Sequence, residues 1–499
     1  MKRVKRKSPL QKIVSVLIFT LLCNLTNLFA GELLIGTATA DITPTLPVAL
    51  DGQFHLRIAK TIETPLTANV IALESRDGTR SLDAAVMVSC DVVGIPAKTL
   101  AMLRGEVKKQ LPGFDANKIF LNAVHTHTAP VIENNPIFSY QIPKEGVLQP
   151  EEYEAFFVKR IAEAITKAWK DRNPGSVSWG MSHAAIAYNR RTVYADGSAV
   201  MYGNTNKPEF RNMEGIEDHD VNMLFFWNRN GKLIAMTVDV PCTAQEVEGR
   251  SAVNADYIHP VRERLKERFG PDLVVLGWIG AAGDQSPRPL YRKAAEERMI
   301  KLRNLSRLDE IARRIFNAVE ETYETVEQDR YTDVQLVHKV ESLTLPMRLV
   351  TEKEYAVSKV EHDKAAAMIA ADPKAAEQQL ARMTWNGDVL KRFENQKTDP
   401  KPTVQSEIHV LRIGDAVVCT NEFEMFTDYA LRIEAQSRAL QTFIIQLTGA
   451  GSYLPTERAV AGGGYSAVAQ SSEVGPEGGQ ILVDRTVKLI NDMFDAEKK

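Results

Sequence analysis

The chain has 499 residues, 44 % of them hydrophobic, with 61 Lys and Arg against 64 Asp and Glu. This is the composition of a globular chain with enough length for a large core, or for two or three domains. No basic excess is left to neutralise phosphates, which excludes nucleic acid as an expected partner.

The first segment reads as an address rather than as part of the fold. Lys2, Arg3, Lys5, Arg6 and Lys7 precede a short apolar run, Ile13 to Leu22, and Asn27-Leu-Phe-Ala30 before Gly31 offers a cleavage site. Residues 1–30 are therefore expected to be a signal peptide, and the mature protein to be secreted or periplasmic. The apolar run is well short of the roughly 20 residues that a spanning helix needs. Taking the six basic residues of that segment from the 61 leaves 55 against 64 acidic ones, a net charge of −9. Cys90, Cys242 and Cys419 remain, an odd number. At least one is unpaired, so the chain is no disulfide scaffold, and a free thiol could serve as a ligand.

From Gly31 to about Leu290, apolar runs alternate with amphipathic stretches. Residues 84–90, 119–124, 233–238 and 273–278 read as buried strands, and 96–110, 151–171 and 257–268 have helical spacing of apolar positions. The alternation predicts an α/β fold, a layered mixed-sheet core with helices on both faces. Residues 291–400, rich in Ala, Glu, Lys and Arg, read as a mainly helical insertion. Its helices are expected at 307–325, 352–371 and 374–396, around a strand at 334–345. Strands return at 407–413, 416–419 and 442–447, with a helix at 426–437 and a terminal helix over 480–495. The glycine-rich stretches 461–464 and 475–479 read as loops. With no internal repeat and no low-complexity linker, residues 31–499 read as one compact unit.

The chemistry gathers where apolar strands end. In Leu121-Asn-Ala-Val-His125-Thr-His127-Thr-Ala-Pro130 two imidazoles stand two residues apart. On a continuing strand they would share one face, able to hold a metal and to move protons beside it. The strand at 273–278 runs into Gly280-Ala-Ala-Gly-Asp284-Gln-Ser286-Pro287, which predicts a tight turn with the Ser286 hydroxyl exposed. Cys242 follows the strand 233–240, Glu422 follows 416–419, and Tyr453 and Tyr465 follow 442–447. Each has an ordinary structural explanation when taken alone: a buried small hydrophobe, a helix cap, a turn.

Taken together and in order, these segments resemble the catalytic domain of the neutral/alkaline, non-lysosomal ceramidases, which are zinc-dependent amidases. Gly36-Thr-Ala-Thr-Ala-Asp41-Ile-Thr-Pro44 is similar to that family's opening segment. His125-Thr-His127-Thr-Ala-Pro130 resembles its His-Thr-His-Ser-Gly-Pro, Asn189-Arg190 its Asn-Arg-Ser, and Gly283-Asp-Gln-Ser286-Pro287 its Gly-Asp-Val-Ser-Pro. The resemblance implies Zn²⁺ held by His125, Glu422 and the unusual tyrosine ligand Tyr453. It makes His127 a proton donor or polarising group, places Arg190 and Tyr465 at the scissile amide, and makes Ser286 the active-site serine. The implied substrate is an N-acylated lipid or small molecule, with peripheral contact at a membrane surface.

Two departures qualify this expectation. Where the family has a second histidine ligand this chain has Cys242-Thr243. Cys242 could ligate zinc as a thiolate, Asp256 or His259 could be recruited instead, or the metal could be lost. The family's ceramide-cleaving members carry a further immunoglobulin-like domain after the catalytic one, and the expectation here is of a ceramidase-like chain without it. A different acyl, ester or glycan substrate, or a non-catalytic binding protein with a degenerate metal site, stays open at this level.

Overall fold

The computed structural model describes residues 31–134 and 140–495, so the expected signal peptide lies outside the described residues. Nine strands form one mixed sheet. Its order is Val274–Ile279, Leu233–Val240, Asp220–Asn228, Asn173–His183, Gly31–Asp41, Thr67–Asp77, Arg80–Cys90 and Ile119–Ala123, with Asp333–Val334 added beside Gly31–Asp41. The interior pairs are antiparallel; the outermost pair at each end is parallel. A second sheet orders Leu336–Pro346, Thr403–Ile413, Ala416–Thr420 and Gln441–Ile445, and its last pair is parallel too.

The two sheets pack face to face. Leu33, Ile71, Phe120, Leu224 and Trp278 of the first share one apolar cluster with Leu411, Val418, Phe443 and Ile445 of the second. Helices cover both outer faces. Ala97–Gln110, Pro150–Lys170, Ile258–Phe269 and Arg307–Val326 lie on the large sheet; Thr427–Gln436 and Pro476–Asp495 lie on the small one. The fold is thus α/β with a layered mixed-sheet core between helices, the expected class, in which a second sheet forms an inner layer.

Local sequence explains these elements. Pro150 opens its helix where a backbone N–H has no partner to lose, Gln149 and Glu152 form a capping box, and Glu151 faces the positive helix end. Tyr153, Phe157, Ile161, Ala164 and Ala168 then form the buried stripe. That helix lies close to the first strand because residue 36 is glycine: a Cβ there would stand 1.9 Å from the Ala168 carbonyl oxygen.

The expected insertion over 291–400 is narrower than the composition suggests. Arg307–Val326 packs into the large sheet's outer cluster, and Leu336–Pro346 pairs with Thr403–Ile413 along its whole length. The helical pair Glu352–Ala371 and Ala376–Asn395, like the short helix Lys293–Leu302 before it, stands outside the two sheets. The stretch 475–479 is likewise no loop, since Pro476 begins the terminal helix and Gly478 and Gly479 pack against Val474 and Tyr429. Among the described residues no helix is long and apolar enough to cross a membrane.

Candidate active site

A cavity of about 250 Å³ opens where the parallel strand pairs of both sheets end. On the large sheet these ends lead into Val93 and His125; on the small sheet they lead into Glu424 and Tyr453. Gln446 ties the two rims together. Its amide donates to the Ile279 carbonyl, and its side-chain oxygen accepts from the Ala282 and Met425 amides.

The strand stops at Ala123, so the His-x-His pair does not continue it as expected. His125 takes a left-handed backbone, φ 67°, a strained conformation for a non-glycine residue. The surroundings hold it there: its amide donates to the Val92 carbonyl, and its Nδ1 lies 2.6 Å from the Val93 carbonyl oxygen. Donation from Nδ1 leaves the Nε2 lone pair facing the cavity. Thr126 and Thr128 turn away to bond the Asn254 carbonyl at 2.7 and 2.6 Å, so both imidazoles still face one side. The two Nε2 atoms are 3.2 Å apart.

His127 is flanked by residues that no motif singles out. Glu248 Oε2 stands 3.4 Å from its Nδ1, and Gln245 Nε2 stands 2.7 Å from its Nε2. The Thr243 hydroxyl donates to Gln245 Oε1 and turns the amide nitrogen toward the ring. Burial first, then the nearby His125 and Arg57, Arg190 and Arg288, hold His127 well below the usual histidine range, so it is a neutral imidazole at ordinary pH. Gly52, at φ 89°, lies against that ring, and a Cβ there would come 2.4 Å from it.

The carboxylate facing His125 is Glu424, not Glu422. Glu424 Oε2 is 3.6 Å from His125 Nε2 and 3.9 Å from Arg190 Nη2, and it is buried with no hydrogen-bond partner. Glu424 pairs in register with Tyr453 in a short parallel ladder, which sets the two side by side. Glu422 lies in an adjoining cavity with Arg104, Glu407 and Glu473, where its Oε1 accepts from the Glu407 amide. The chain bends after Thr420, so the acid nearest the strand end faces away from the histidines.

Arg190 stands behind the cavity and donates to the Tyr453 hydroxyl at 3.3 Å and the Gly283 carbonyl at 3.0 Å. Burial opposes its charge, but Tyr453, Tyr202 and Glu424 raise it well above the ordinary arginine range. Tyr453 is itself raised well above the tyrosine range, by burial, then by Glu424 and Tyr465. The Tyr465 ring meets the Tyr453 ring at 5.5 Å and lines the cavity.

Besides Glu422, two more expected site residues lie elsewhere. Cys242 is fully buried in the apolar cluster beside Ile186, Tyr257 and Ile258, with its thiol 3.6 Å from the Ile186 carbonyl oxygen. Burial pushes that thiol above its usual range, the opposite of what a thiolate ligand needs. Ser286 is not exposed on a turn: it is fully buried, pairs with Tyr188 in a short ladder, and accepts from the Arg288 amide. Its segment serves instead to place Arg190, since the Asp284 carbonyl accepts the Arg190 amide and the Asp284 carboxylate accepts from Asn189 and Thr427. Neither Asp256 nor His259 lines the cavity.

Among the described residues no three His, Cys, Asp or Glu side chains gather as a metal-binding group. The donors that fit a catalytic metal here include only two of that kind, His125 and Glu424, with the Tyr453 hydroxyl. The buried, unpartnered Glu424 oxygen beside a free imidazole lone pair is what a cation would satisfy.

No protein-family model matches this sequence, and no curated protein matches it. Solved structures do. One described as a ceramidase complexed with C2 superposes with a TM-score of 0.65 at 16 % identity, covering 93 % of this chain and 76 % of its own. The neutral ceramidase of Pseudomonas aeruginosa gives 0.64 at 17 %, covering 93 % and 75 %. The class defined by the sheets and the cavity is therefore a layered α/β fold with its site at the joined strand ends. That fold is the fold of the neutral ceramidases.

Proposed function

We propose that the protein is a metal-dependent hydrolase of the neutral ceramidase kind that cleaves an amide, N-acyl bond. The observation that carries this reading is the convergence of His125, Glu424, Tyr453 and Tyr465 in one cavity of that fold, with Arg190 bonded to Tyr453 from behind. His125, Glu424 and Tyr453 are the residues that would hold the metal. Zinc in such a site supplies Lewis acidity and lets water act as a nucleophile near neutral pH.

The remaining residues divide the work. The Tyr465 hydroxyl, on the cavity wall, is a hydrogen-bond donor for the amide oxygen as negative charge develops there, and Arg190, fixed by the Gly283 carbonyl and bonded to Tyr453, adds positive charge from behind. His127, neutral and within reach of the same space, takes a proton from the attacking water and returns one to the leaving amine. Buried Ser286 has no part as a nucleophile in this scheme, and Cys242 none as a ligand. Export and peripheral contact with a lipid surface belong to the same reading.

The test is the release of free acid from N-acyl sphingoid, N-acyl amino acid and N-acetyl sugar substrates, with and without chelator. Amide turnover that disappears on metal removal and returns with zinc is expected. Turnover that survives complete removal contradicts the scheme.

A further inference from the structure

The strands Leu336–Pro346 and Thr403–Ile413 stay in register to the pair Pro346 and Thr403, where a tight turn could join them. The chain instead leaves the sheet through the helical hairpin made by Glu352–Ala371 and Ala376–Asn395. That hairpin is fastened to the segment 463–472, which carries Tyr465. Arg392 donates to the Ala469 and Ser472 carbonyls, at 2.7 and 3.2 Å, and Gln470 donates to Ser358 and Asn386. Val389 and Phe393 pack with Ala469 in a small apolar core of their own.

One hairpin side chain reaches the cavity rim. The Trp385 ring lies 5.9 Å from Tyr465 and 5.5 Å from Phe54, and Phe54 lies 5.9 Å from Tyr465. Phe54 and Tyr465 line the cavity directly, and Phe54 is still 39 % exposed. The lining combines His125, His127 and Glu424, with Asp51, Gln53 and Glu133, and the apolar Ile132 and Pro96 beside the aromatic rings. A substrate whose amide reaches His125 and Glu424 has Phe54, Tyr465, Ile132 and Pro96 as apolar contacts for the rest of itself.

We propose that the hairpin is part of the substrate site, and that Trp385, with Phe54, forms an aromatic roof that selects substrates carrying an extended alkyl chain beside the scissile amide. This rests on the hydrolase reading above. The hairpin thereby does two things: it presents Trp385 to the chain, and it holds the segment that positions Tyr465. A short acyl group does not reach the roof and gains nothing from it.

The experiment compares Trp385→Ala and Trp385→Phe with wild type on the acetyl and dodecanoyl amides of one amine. Trp385→Ala is expected to raise KM for the dodecanoyl amide by about tenfold while leaving the acetyl amide nearly unchanged, and Trp385→Phe to restore most of the difference. A second measurement needs no turnover: quenching of tryptophan fluorescence by a brominated dodecanamide. The chain has five tryptophans, and the quenching is expected in wild type and largely lost in Trp385→Phe. Equal loss on both amides, or quenching that persists in Trp385→Phe or is absent from wild type, overturns the proposal. Quenching as expected in a protein that hydrolyses neither amide overturns the hydrolase reading and leaves the alkyl-binding roof standing.

Discussion

Glu422 and Glu424 stand two positions apart, with Phe423 between them, and that short distance decides which acid faces His125. The apolar run Val417-Val-Cys419 shows where the strand ends, but the bend after it has no local signature. The pairing of Glu424 with Tyr453 across to the next rim, through a ladder of two residues, is what sets Glu424 rather than Glu422 beside His125. His125, His127 and Arg190 could be picked out because each belongs to a short motif in a fixed order, and Tyr453 and Tyr465 because the resemblance extends past the strand at 442–447. Gln245 and Glu248 belong to none and could not. Replacing Glu424 by Gln keeps the shape and removes the charge, and is expected to lower turnover by more than about 100-fold, beyond the usual cost of changing an outer partner. Glu422→Gln is expected to stay within about twofold. Steady-state rates of the two variants on one amide substrate check this, and the reverse ranking would return the role to Glu422.

At the scale of elements, strands made of continuous apolar residues could be read directly, whereas Asn173–His183 and Thr67–Asp77 could not. Both lie mid-sheet, yet they carry buried Ser178 and Ser182, or Asn69, Glu74 and Ser75, which break the apolar run. The cost of burying Glu74 is offset by Arg76, two residues along the same strand, and by Arg172, which is distant enough in sequence to hide its part of the pairing. Arg191, next to the site arginine, does similar work for the Tyr465 loop. It pairs with Glu214 at 2.6 Å and donates to the Ala459, Gly463 and Tyr465 carbonyls. Glu214→Gln leaves that buried guanidinium uncompensated and is expected to cost about 3–5 kcal/mol of stability. Denaturant unfolding measures it, and a loss below about 1 kcal/mol would show that the carbonyls alone hold Arg191.

For the whole molecule, stability has a pH dependence that arises from groups outside the cavity lining. Glu434, on the outer helix, is pushed up to about 8 by burial, then by Asp218 and Asp220. The unfolded chain gives up that proton near pH 4.5, while the folded chain keeps it to about pH 8, so stability falls as pH rises across that window. Glu407 acts in the opposite direction. Burial would raise it, but the hydrogen bonds from His409 and Arg104 bring it down to about 2, so its contribution is lost as pH falls from 4.5 toward 2. Glu434→Gln is therefore expected to raise the urea midpoint more at pH 8 than at pH 5, and an equal change at both would contradict the assignment. The layered architecture follows from alternating strands and helices that could be read in the chain; the second sheet against the first could not, because face-to-face packing leaves no mark on the spacing of either. What the fold brings together is a donor set that omits the residue expected to complete it. The direct measurement is zinc bound per chain at equilibrium in wild type, Glu424→Gln and Cys242→Ala, each folded by circular dichroism. One zinc in wild type and in Cys242→Ala, with affinity lost in Glu424→Gln, is the predicted result; zinc that depends on Cys242 and not on Glu424 would contradict it.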